Sequence, residues 1–239
     1  MYKSFKWTDK SLIRNNILRQ FEPIQPYVFL ECGRKMNAVA FVDVGSNIGA
    51  YSLFFSSIPS VREIIAIEAV PGTFAELQKN IELNMLAPKI TALNMAVSDN
   101  VGKITFGVVG DLSGANGALD TSIHNKFQDK VELACSTLDK LVAIRNASLC
   151  LKIDVEGHEA VVLDGATDVL LNNACIVQIE NYEITGRDPN ILMNKFLKLG
   201  YSKLFNIGPD EYYSNREISA PDLVKILSNA SSDLIKANF

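Results

Sequence analysis

Short apolar runs alternate with amphipathic segments along most of this 239-residue chain. The apolar runs predict buried parallel strands, because strands covered on both faces lose the alternation of polar and apolar residues. Segments with apolar residues at helical spacing follow most of the runs. The predicted core strands are 39–43, 64–67, 90–94, 149–153 and 174–179. This alternation predicts an α/β domain with a mostly parallel central sheet and helices on both faces.

The remaining pattern predicts elements around that core. Residues 1–20 have a helical pattern, and after two prolines residues 27–30 suit a short strand or the lip of a pocket. Residues 97–106 predict a turn followed by an added strand or hairpin outside the parallel core. The other predicted elements are strands at 131–135, 201–207 and 211–214, and helices at 50–57, 71–83, 136–142, 161–170, 190–199 and 220–236. Glycines and small polar residues at 107–125 predict a surface loop that acts as a lid.

The chain is expected to be a single domain, because it has no internal repeat and no linker. Within residues 1–239 we distinguish an N-terminal cap at 1–37, a core at 38–214 and a C-terminal helix at 215–239.

A glycine turn follows the first predicted core strand. Asp43 ends the apolar run, and Gly45 and Gly49 come four residues apart before the next helix begins. A strand, a glycine turn and a helix are typical of a nucleotide-binding unit. The dinucleotide fingerprint has a further glycine between these two, which this chain lacks. A carboxylate just ahead of the turn would repel phosphate and attract a cationic group.

Acidic residues end the predicted core strands at Asp43, Glu68, Asp154 and Glu180. In an open α/β sheet, ligands bind beyond the carboxyl ends of the strands, near the point where the strand order reverses. We therefore expect these carboxylates to share one ligand-binding edge.

Composition limits the choice of partners and compartment. The net charge is −4 and no basic run occurs, so no nucleic acid or anionic membrane is expected as a partner. No apolar run approaches the roughly 20 residues that span a bilayer, and no secretory signal is visible. The four cysteines lack metal-site spacing, and Cys150 and Cys175 fall in predicted buried strands. A reducing, cytoplasmic location is expected.

Four short motifs together resemble one enzyme family. They are Phe-Val-Asp-Val-Gly-Ser-Asn-Ile-Gly from residue 41, Ile-Glu-Ala-Val-Pro from 67, Asn-Met-Ala-Val-Ser from 94 and Leu-Lys-Ile-Asp-Val-Glu-Gly-His-Glu from 151. The first resembles the first motif of S-adenosylmethionine-dependent methyltransferases at large. With the last motif, residues 38–182 resemble the FkbM-type methyltransferases.

The resemblance implies a Rossmann-like class I methyltransferase fold and S-adenosylmethionine as the cofactor. It implies O-methylation of a hydroxyl, most often on a sugar of a glycan or glycolipid, and otherwise on a polyketide-type or other small molecule. The positions that match the cofactor-binding pattern are Asp43, Gly45, Asn47, Gly49, Glu68, Ala69 and Ser98. Glu68 would accept hydrogen bonds from the ribose hydroxyls, and Ser98 falls on the adenine side.

Methyl transfer to a hydroxyl needs a group that takes its proton. His158 follows Asp154 by four residues, and imidazole titrates near neutrality. We predict His158 as the base, assisted by Asp154, with Glu156 and Glu159 as weaker candidates.

A divalent metal is an alternative way to activate the hydroxyl. Asp154, Glu180 and Asn181 would offer oxygen ligands suited to Mg²⁺ or Mn²⁺, an arrangement similar to that of catechol O-methyltransferase. Glu180 is longer than the aspartate found there.

Other functions remain open from the residues alone. A nicotinamide-dependent oxidoreductase would need the missing glycine. A non-catalytic module of the same fold would be expected to have lost acids from the strand ends. An amino group or a nucleic acid is the main alternative acceptor, and the near absence of basic residues at 107–125 disfavours the nucleic acid.

Overall fold

The computed structural model of the chain describes residues 5–108, 117–118, 129–182 and 188–238. Within these ranges the helices are Asp9–Phe21 (α1), Gln25–Lys35 (α2), Ala50–Phe55 (α3), Pro71–Leu83 (α4), Leu138–Leu141 (α5), Glu159–Asp164 (α6), Thr167–Leu171 (α7), Ile191–Lys198 (α8) and Ala220–Asn238 (α9). The strands are Ala40–Val44 (β1), Glu63–Glu68 (β2), Ile90–Asn94 (β3), Ala96–Val97 (β4), Gly102–Val108 (β5), Gly117–Ala118 (β6), Asp129–Ser136 (β7), Ser148–Ile153 (β8), Ala174–Glu180 (β9), Ser202–Ile207 (β10) and Asp210–Ser214 (β11).

The central sheet has the order β10-β11-β9-β8-β1-β2-β3 among the described residues. The pairs from β3 through β9 are parallel, and β11 runs antiparallel to both of its neighbours. Strand order reverses at β1, because β2 and β8 lie on its two sides. The predicted mostly parallel α/β architecture is confirmed, and the reversal marks the expected ligand-binding edge.

Two hydrophobic clusters cover the two faces of this sheet. Along β8, Leu149 and Leu151 face the cluster that includes α6, α7 and α8, and Cys150 faces the cluster that includes α2, α3 and α9. Lys152 is the next position on the second face, where the apolar pattern gives way to charge. Cys32, Cys135, Cys150 and Cys175 are free and buried, as expected for small hydrophobic residues.

A second sheet lies beside the core, with the order β4-β7-β5-β6 in the described residues. Strands β5 and β7 form an antiparallel pair, so the strand predicted outside the parallel core is present. The predicted lid at 107–125 lies outside the described residues except for 107–108 and 117–118. Gly117 and Ala118 pair with the end of β5.

The prediction for residues 27–30 is wrong, because this run is part of α2. Tyr27 to Leu30 are all buried in the core cluster, and Phe29 contacts the aromatic rings of Phe41 and Phe55. A helix that is buried on every side gives a continuous apolar run, which periodicity cannot distinguish from a strand. Pro26 lies in the first turn of α2, where its missing N–H costs no hydrogen bond.

The single helix predicted across 161–170 is divided into α6 and α7. A Cβ atom at Gly165 would lie 2.1 Å from the carbonyl oxygen of Ser98, so the chain turns where β4 approaches closely. The carboxylate of Asp139 then accepts hydrogen bonds from the backbone N–H groups of Asp168 and Val169 at 3.0 and 2.8 Å. These bonds satisfy the first turn of α7.

None of the helices in the described ranges combines the length and the apolar character that crossing a membrane requires.

Candidate active site

A cleft opens at the carboxyl ends of β1, β2 and β8, where the strand order reverses. The residues that line it are Val44, Gly45, Asn47, Ile67, Glu68, Ala69, Val70, Met95, Ala96, Val97, Ile104, Phe106, Asp154, Val155, Glu156 and His158. The lining residues that the structure describes include three acids and no lysine or arginine. The cleft therefore suits a ligand with positive charge.

The glycine turn packs directly against the end of β8. Gly45 has a φ of +76°, and a Cβ atom there would lie 1.8 Å from the backbone oxygen of Asp154. Gly49 has a φ of +87°, and its Cβ would lie 2.5 Å from a methyl carbon of Leu77. Both positions need glycine for conformation and for space. Asn47 also has a positive φ of 51° and lines the cleft.

Glu68 is the last residue of β2, and backbone N–H groups hold its carboxylate in place. Asn47 N donates to Oε2 at 3.0 Å and Val70 N donates to Oε1 at 2.9 Å. Burial raises the pKa of Glu68 to about 7, although these two hydrogen bonds lower it. A carboxylate has about four lone-pair sites, so each oxygen keeps acceptor capacity for a ligand hydroxyl.

Asp43 lies inside β1, because the strand continues to Val44, one residue beyond its predicted end. Its carboxylate is 1% exposed and accepts a hydrogen bond from Ser52 Oγ of α3 at 2.6 Å. Burial raises its pKa to about 6, opposed by the charge of Lys152. Asp43 does not line the cleft, so any contribution to cofactor binding would act through α3 and the turn.

An apolar wall lines part of the cleft, and the sequence did not reveal it. Met95 and Val97 come from the segment after β3, and Ile104 and Phe106 come from β5 of the second sheet. The alternation along β5 indicates that Ile104 and Phe106, which are two residues apart, share a face of the strand. It does not indicate that this face covers the cleft, which depends on how the two sheets pack.

Three carboxylates meet beside the glycine turn. Oxygen atoms of Asp154, Glu156 and Glu180 all lie within 4.8 Å of one another, and we call this group the acidic trio. Burial, followed by repulsion from neighbouring acids, raises the pKa of Glu156 to about 9 and that of Glu180 to about 11. Burial and mutual repulsion therefore favour the protonated forms of Glu156 and Glu180.

Asn181 is not part of the trio. Its backbone N–H donates to the oxygen of Pro209, and its side chain hydrogen-bonds to Glu211. The predicted grouping of Asp154 with Glu180 is present, and Glu156 stands where Asn181 was predicted. The sequence favoured Asn181 because it follows directly on Glu180, but successive residues of an extended chain point to opposite sides.

The turn from Asp154 to His158 has a backbone conformation that few side chains adopt. Glu156 has a φ of +56° and Gly157 a φ of +106°. Glu159 stabilises the turn, because its Oε1 accepts hydrogen bonds from Val155 N at 3.0 Å and Gly157 N at 3.1 Å. A left-handed non-glycine residue costs roughly 1–3 kcal/mol and is found most often at functional sites. Glu159 thus has a structural role, and Glu156 faces the cleft.

His158 lines the cleft and is 7% exposed. Its Nε2 lies 3.1 Å from Ser98 Oγ, on the side of the cleft formed by the second sheet. Ser98 is buried and is not among the residues that line the cleft. The structure thus pairs His158 with Ser98, whereas Asp154 Oδ2 is 2.6 Å from Lys152 Nζ.

Known proteins are similar to this chain in sequence and in fold. The family model of the methyltransferase FkbM domain matches residues 43–203. Methyltransferase sdnD of Sordaria araneosa is 26% identical over 180 residues, covering 63% of this chain and 69% of that protein. Hexuronic acid methyltransferase AglP of Haloferax volcanii is 32% identical over 149 residues, covering 62% of this chain and 56% of that protein.

The fold comparison agrees with the sequence comparison. The solved structure of a methyltransferase FkbM from Methylobacillus flagellatus superposes with a TM-score of 0.53 at 14% identity, covering 74% of this chain and 44% of that one. The family match includes the glycine turn, Glu68 and the acidic trio, and it is to a methyltransferase rather than to a nicotinamide-dependent enzyme. This chain belongs to the FkbM methyltransferase domain family.

Proposed function

We propose that this chain is an S-adenosylmethionine-dependent O-methyltransferase that acts on a hydroxyl group of a sugar. The observation that carries the proposal is the Glu68 carboxylate, held by two backbone N–H groups at the end of β2 in a cleft that also has an apolar wall. This pairing suits adenosine, whose ribose presents two hydroxyls and whose base is flat and largely apolar.

The residues present also fit the cationic half of the cofactor. S-adenosylmethionine supplies a methyl group on a positively charged sulfur when it is bound. Glu68, Asp154 and Glu156 line the cleft without a lysine or arginine among its described lining residues. Those of the three carboxyls that are ionised attract a sulfonium or an ammonium, and a protonated Glu156 still accepts hydrogen bonds through its carbonyl oxygen. The described lining offers no positive charge to the diphosphate of a dinucleotide. The missing glycine of the dinucleotide fingerprint agrees with this choice.

Asp154 is our first candidate for the group that takes the proton of the acceptor hydroxyl. It follows β8 directly, lies against the glycine turn, and is held by Lys152 at 2.6 Å. Glu156 and Glu180, whose pKa values are about 9 and about 11, are protonated near neutral pH in the absence of a cation. They can donate hydrogen bonds that orient the acceptor oxygen while Asp154 accepts its proton.

His158 remains a predicted base and is our second candidate after Asp154. It reaches the cleft, but the 3.1 Å contact with Ser98 directs Nε2 toward the wall of the second sheet. From that position we propose that His158 shapes the adenosine side of the cleft. Substitution separates the two roles, because a base changes turnover and a wall residue changes cofactor affinity.

A divalent cation at the acidic trio is the alternative way to activate the hydroxyl. Oxygen atoms of Asp154, Glu156 and Glu180 within 4.8 Å of one another form a hard donor set of the kind Mg²⁺ and Mn²⁺ prefer. The raised pKa values of the two glutamates are a further sign that the trio carries more acidic groups than Lys152 alone neutralises. A chelator distinguishes this alternative from proton transfer to Asp154.

The hexuronic acid methyltransferase among the relatives supports a sugar as the acceptor. The hydroxyls of a sugar can donate hydrogen bonds to the carboxylates of the cleft. A small-molecule hydroxyl of the polyketide type is the second candidate acceptor, within the same chemistry.

Two measurements test the proposal. Calorimetry with S-adenosylhomocysteine is expected to give one site per chain, and no heat with NADH. Mass spectrometry after incubation with S-adenosylmethionine then compares hexuronic acid oligosaccharides, neutral oligosaccharides and phenolic small molecules. Methylation of an oligosaccharide hydroxyl supports the proposal. Methylation of an amine, or of the small molecules alone, would contradict the sugar acceptor.

A further inference from the structure

A buried lysine lies beneath the acidic trio, on the face of the sheet that carries α2 and α3. Lys152 is 4% exposed, and its Nζ is 2.6 Å from Asp154 Oδ2. Burial alone would lower the pKa of this lysine, but the carboxylates around it raise the pKa above its ordinary value. Those carboxylates are, in order of effect, Asp154, Glu22, Asp43 and Asp210. Lys152 is therefore a fixed positive charge at the foot of Asp154.

Tyr51 of α3 holds this lysine from the side away from the cleft. Lys152 Nζ lies 4.7 Å from the centroid of the Tyr51 ring, within the range of a cation–π contact. The Tyr51 hydroxyl donates to Glu22 Oε2 at 2.5 Å and accepts from Gln178 Nε2 at 3.1 Å. Two hydrogen bonds, one donated and one accepted, thus hold the hydroxyl of the Tyr51 ring.

Glu22 belongs to the short turn between α1 and α2, within the N-terminal cap. It lies outside residues 43–203, which the family model matches. Burial raises its pKa to about 7, and the charge of Lys152 opposes this increase. Its carboxylate is thus electrostatically coupled to Lys152 and bonded to Tyr51, although it is distant in sequence from both.

We propose that Glu22, Tyr51 and Lys152 form a buried chain that positions the carboxylate of Asp154. The N-terminal helices are then part of the catalytic unit, because Glu22 completes the chain. This inference rests on the proposed function only for the role of Asp154 in turnover. Without the bond to Tyr51, the ring loses one of its two anchors, and Lys152 becomes free to leave Asp154.

The first test compares Glu22→Ala with Glu22→Gln. The alanine variant removes the acceptor of the Tyr51 hydroxyl, whereas the glutamine variant keeps an acceptor oxygen on a side chain of the same length. We expect Glu22→Ala to lower kcat roughly 10-fold to 100-fold, the scale of misplacing a reacting group. We expect Glu22→Gln to stay within about twofold of the wild type, and both variants to keep the Kd for S-adenosylhomocysteine within about threefold.

Glu31 provides the matched control. It is a buried glutamate of α2, whereas Glu22 is half-buried, and it binds Arg34 and accepts from Asn229 Nδ2, outside the cleft lining. Glu31→Ala is expected to lower stability without lowering kcat in the folded fraction. An equal loss of kcat in Glu22→Ala and Glu31→Ala would overturn the proposal, because the effect would then be general.

A double-mutant cycle shows whether Glu22 acts through Asp154. In an Asp154→Asn background, Glu22→Ala is expected to cause no further loss of turnover, because the group that it positions is absent. Losses that multiply would overturn the proposal. Tyr51→Phe tests the same chain with smaller disturbance of the core, and Tyr201→Phe, whose hydroxyl bonds to Leu170, is its control.

Crystal structures of the wild type, Glu22→Ala and Tyr51→Phe give a result that does not depend on catalysis. We expect the Asp154 carboxylate to leave its contact with Lys152 in both variants, and an unchanged contact in both would overturn the positioning chain. If the wild type transfers no methyl group to any acceptor, the proposed function fails, and the crystal structures still decide the positioning. If the wild type is active and Glu22→Ala is equally active, only the positioning fails.

Discussion

Replacing Glu68 tests the assignment of the cofactor site, because its carboxylate stabilises the turn and is expected to bind the ribose. These two roles can be measured separately. Its oxygens already accept the N–H groups of Asn47 and Val70, at 3.0 and 2.9 Å. We expect the same oxygens to accept the two ribose hydroxyls. Glu68→Ala should therefore weaken the fold of the turn and the affinity for the cofactor.

The structure gives a magnitude for each loss. Two hydrogen bonds to a charged acceptor contribute roughly 1–3 kcal/mol of binding free energy, or about a 5-fold to 150-fold increase in Kd. Leaving the N–H groups of Asn47 and Val70 without their acceptor should lower the free energy of unfolding by about 1–3 kcal/mol. Glu68→Gln is not a mild substitution, since its amide NH₂ would face one of these N–H donors.

Calorimetry with S-adenosylhomocysteine measures the first effect, and urea unfolding of the apoprotein measures the second. Glu63→Ala is the matched control, because Glu63 is the exposed first residue of the same strand, at the end opposite the cleft. A 2′-deoxy analogue of the ligand should lose affinity for the wild type and little for Glu68→Ala. An unchanged Kd in folded Glu68→Ala would refute the assignment.

The raised pKa of Glu68 adds a dependence on pH with a definite sign. The pKa rises from 4.5 in the unfolded chain to about 7 in the folded one, so the native state binds more protons between these values. Glu68 therefore stabilises the apoprotein below about pH 4.5, and this contribution is lost as the pH rises through about 7. Ligand binding should follow the opposite trend, because ionised Glu68 is the better acceptor. We expect the Kd to decrease between pH 5.5 and 8, by on the order of tenfold per pH unit at most. This decrease should be smaller in Glu68→Ala.

Three further predictions concern catalysis, the cation and the glycine turn. In kinetic assays Asp154→Asn should lower kcat by roughly 10²–10⁴, and calorimetry should show that its cofactor affinity is retained. His158→Asn should mainly weaken cofactor binding. The reverse pattern would identify His158 as the base. If a cation activates the hydroxyl, EDTA should abolish turnover and Mn²⁺ or Mg²⁺ restore it, and full activity in EDTA would exclude this route. Urea unfolding should show that Gly45→Ala destabilises the fold by about 3 kcal/mol or more and that Gly49→Ala destabilises it by less. A Cβ at Gly45 would meet backbone 1.8 Å away, whereas a Cβ at Gly49 would meet a side chain that can rotate. Equal losses of stability would contradict this expectation.

The parallel core and its binding edge could be predicted because both depend on local pattern. Strand β3 has the predicted bounds, β8 and β9 differ from theirs by one residue at one end, and β1 and β2 differ by one residue at both ends. Because parallel strands align their carboxyl ends, acids at the ends of β2, β8 and β9 had to meet at one edge. Asp43 was placed at that edge because β1 was ended one residue too early.

The rest of the site depends on packing between distant segments. Phe106 lines the cleft because of how the second sheet packs beside the first, and no periodicity within β5 encodes that packing. The run at 27–30 was misassigned because a fully buried helix and a buried strand are equally apolar. His158 was expected beside Asp154, yet the left-handed turn at Glu156 carries it toward Ser98. Glu22 could not be found from sequence, since its partners Tyr51 and Lys152 are 29 and 130 residues away along the chain.

Transfer of an isotope-labelled methyl group shows whether the chain methylates a sugar hydroxyl. The chain, trideuteriomethyl S-adenosylmethionine and a hexuronic acid oligosaccharide are incubated together, and the products are separated and fragmented by mass spectrometry. We expect an oligosaccharide that carries one trideuteriomethyl group on a sugar hydroxyl, formed more slowly when Glu68→Ala or Asp154→Asn replaces the wild type. A label on nitrogen or carbon, or equal labelling by wild type and both variants, would contradict this expectation.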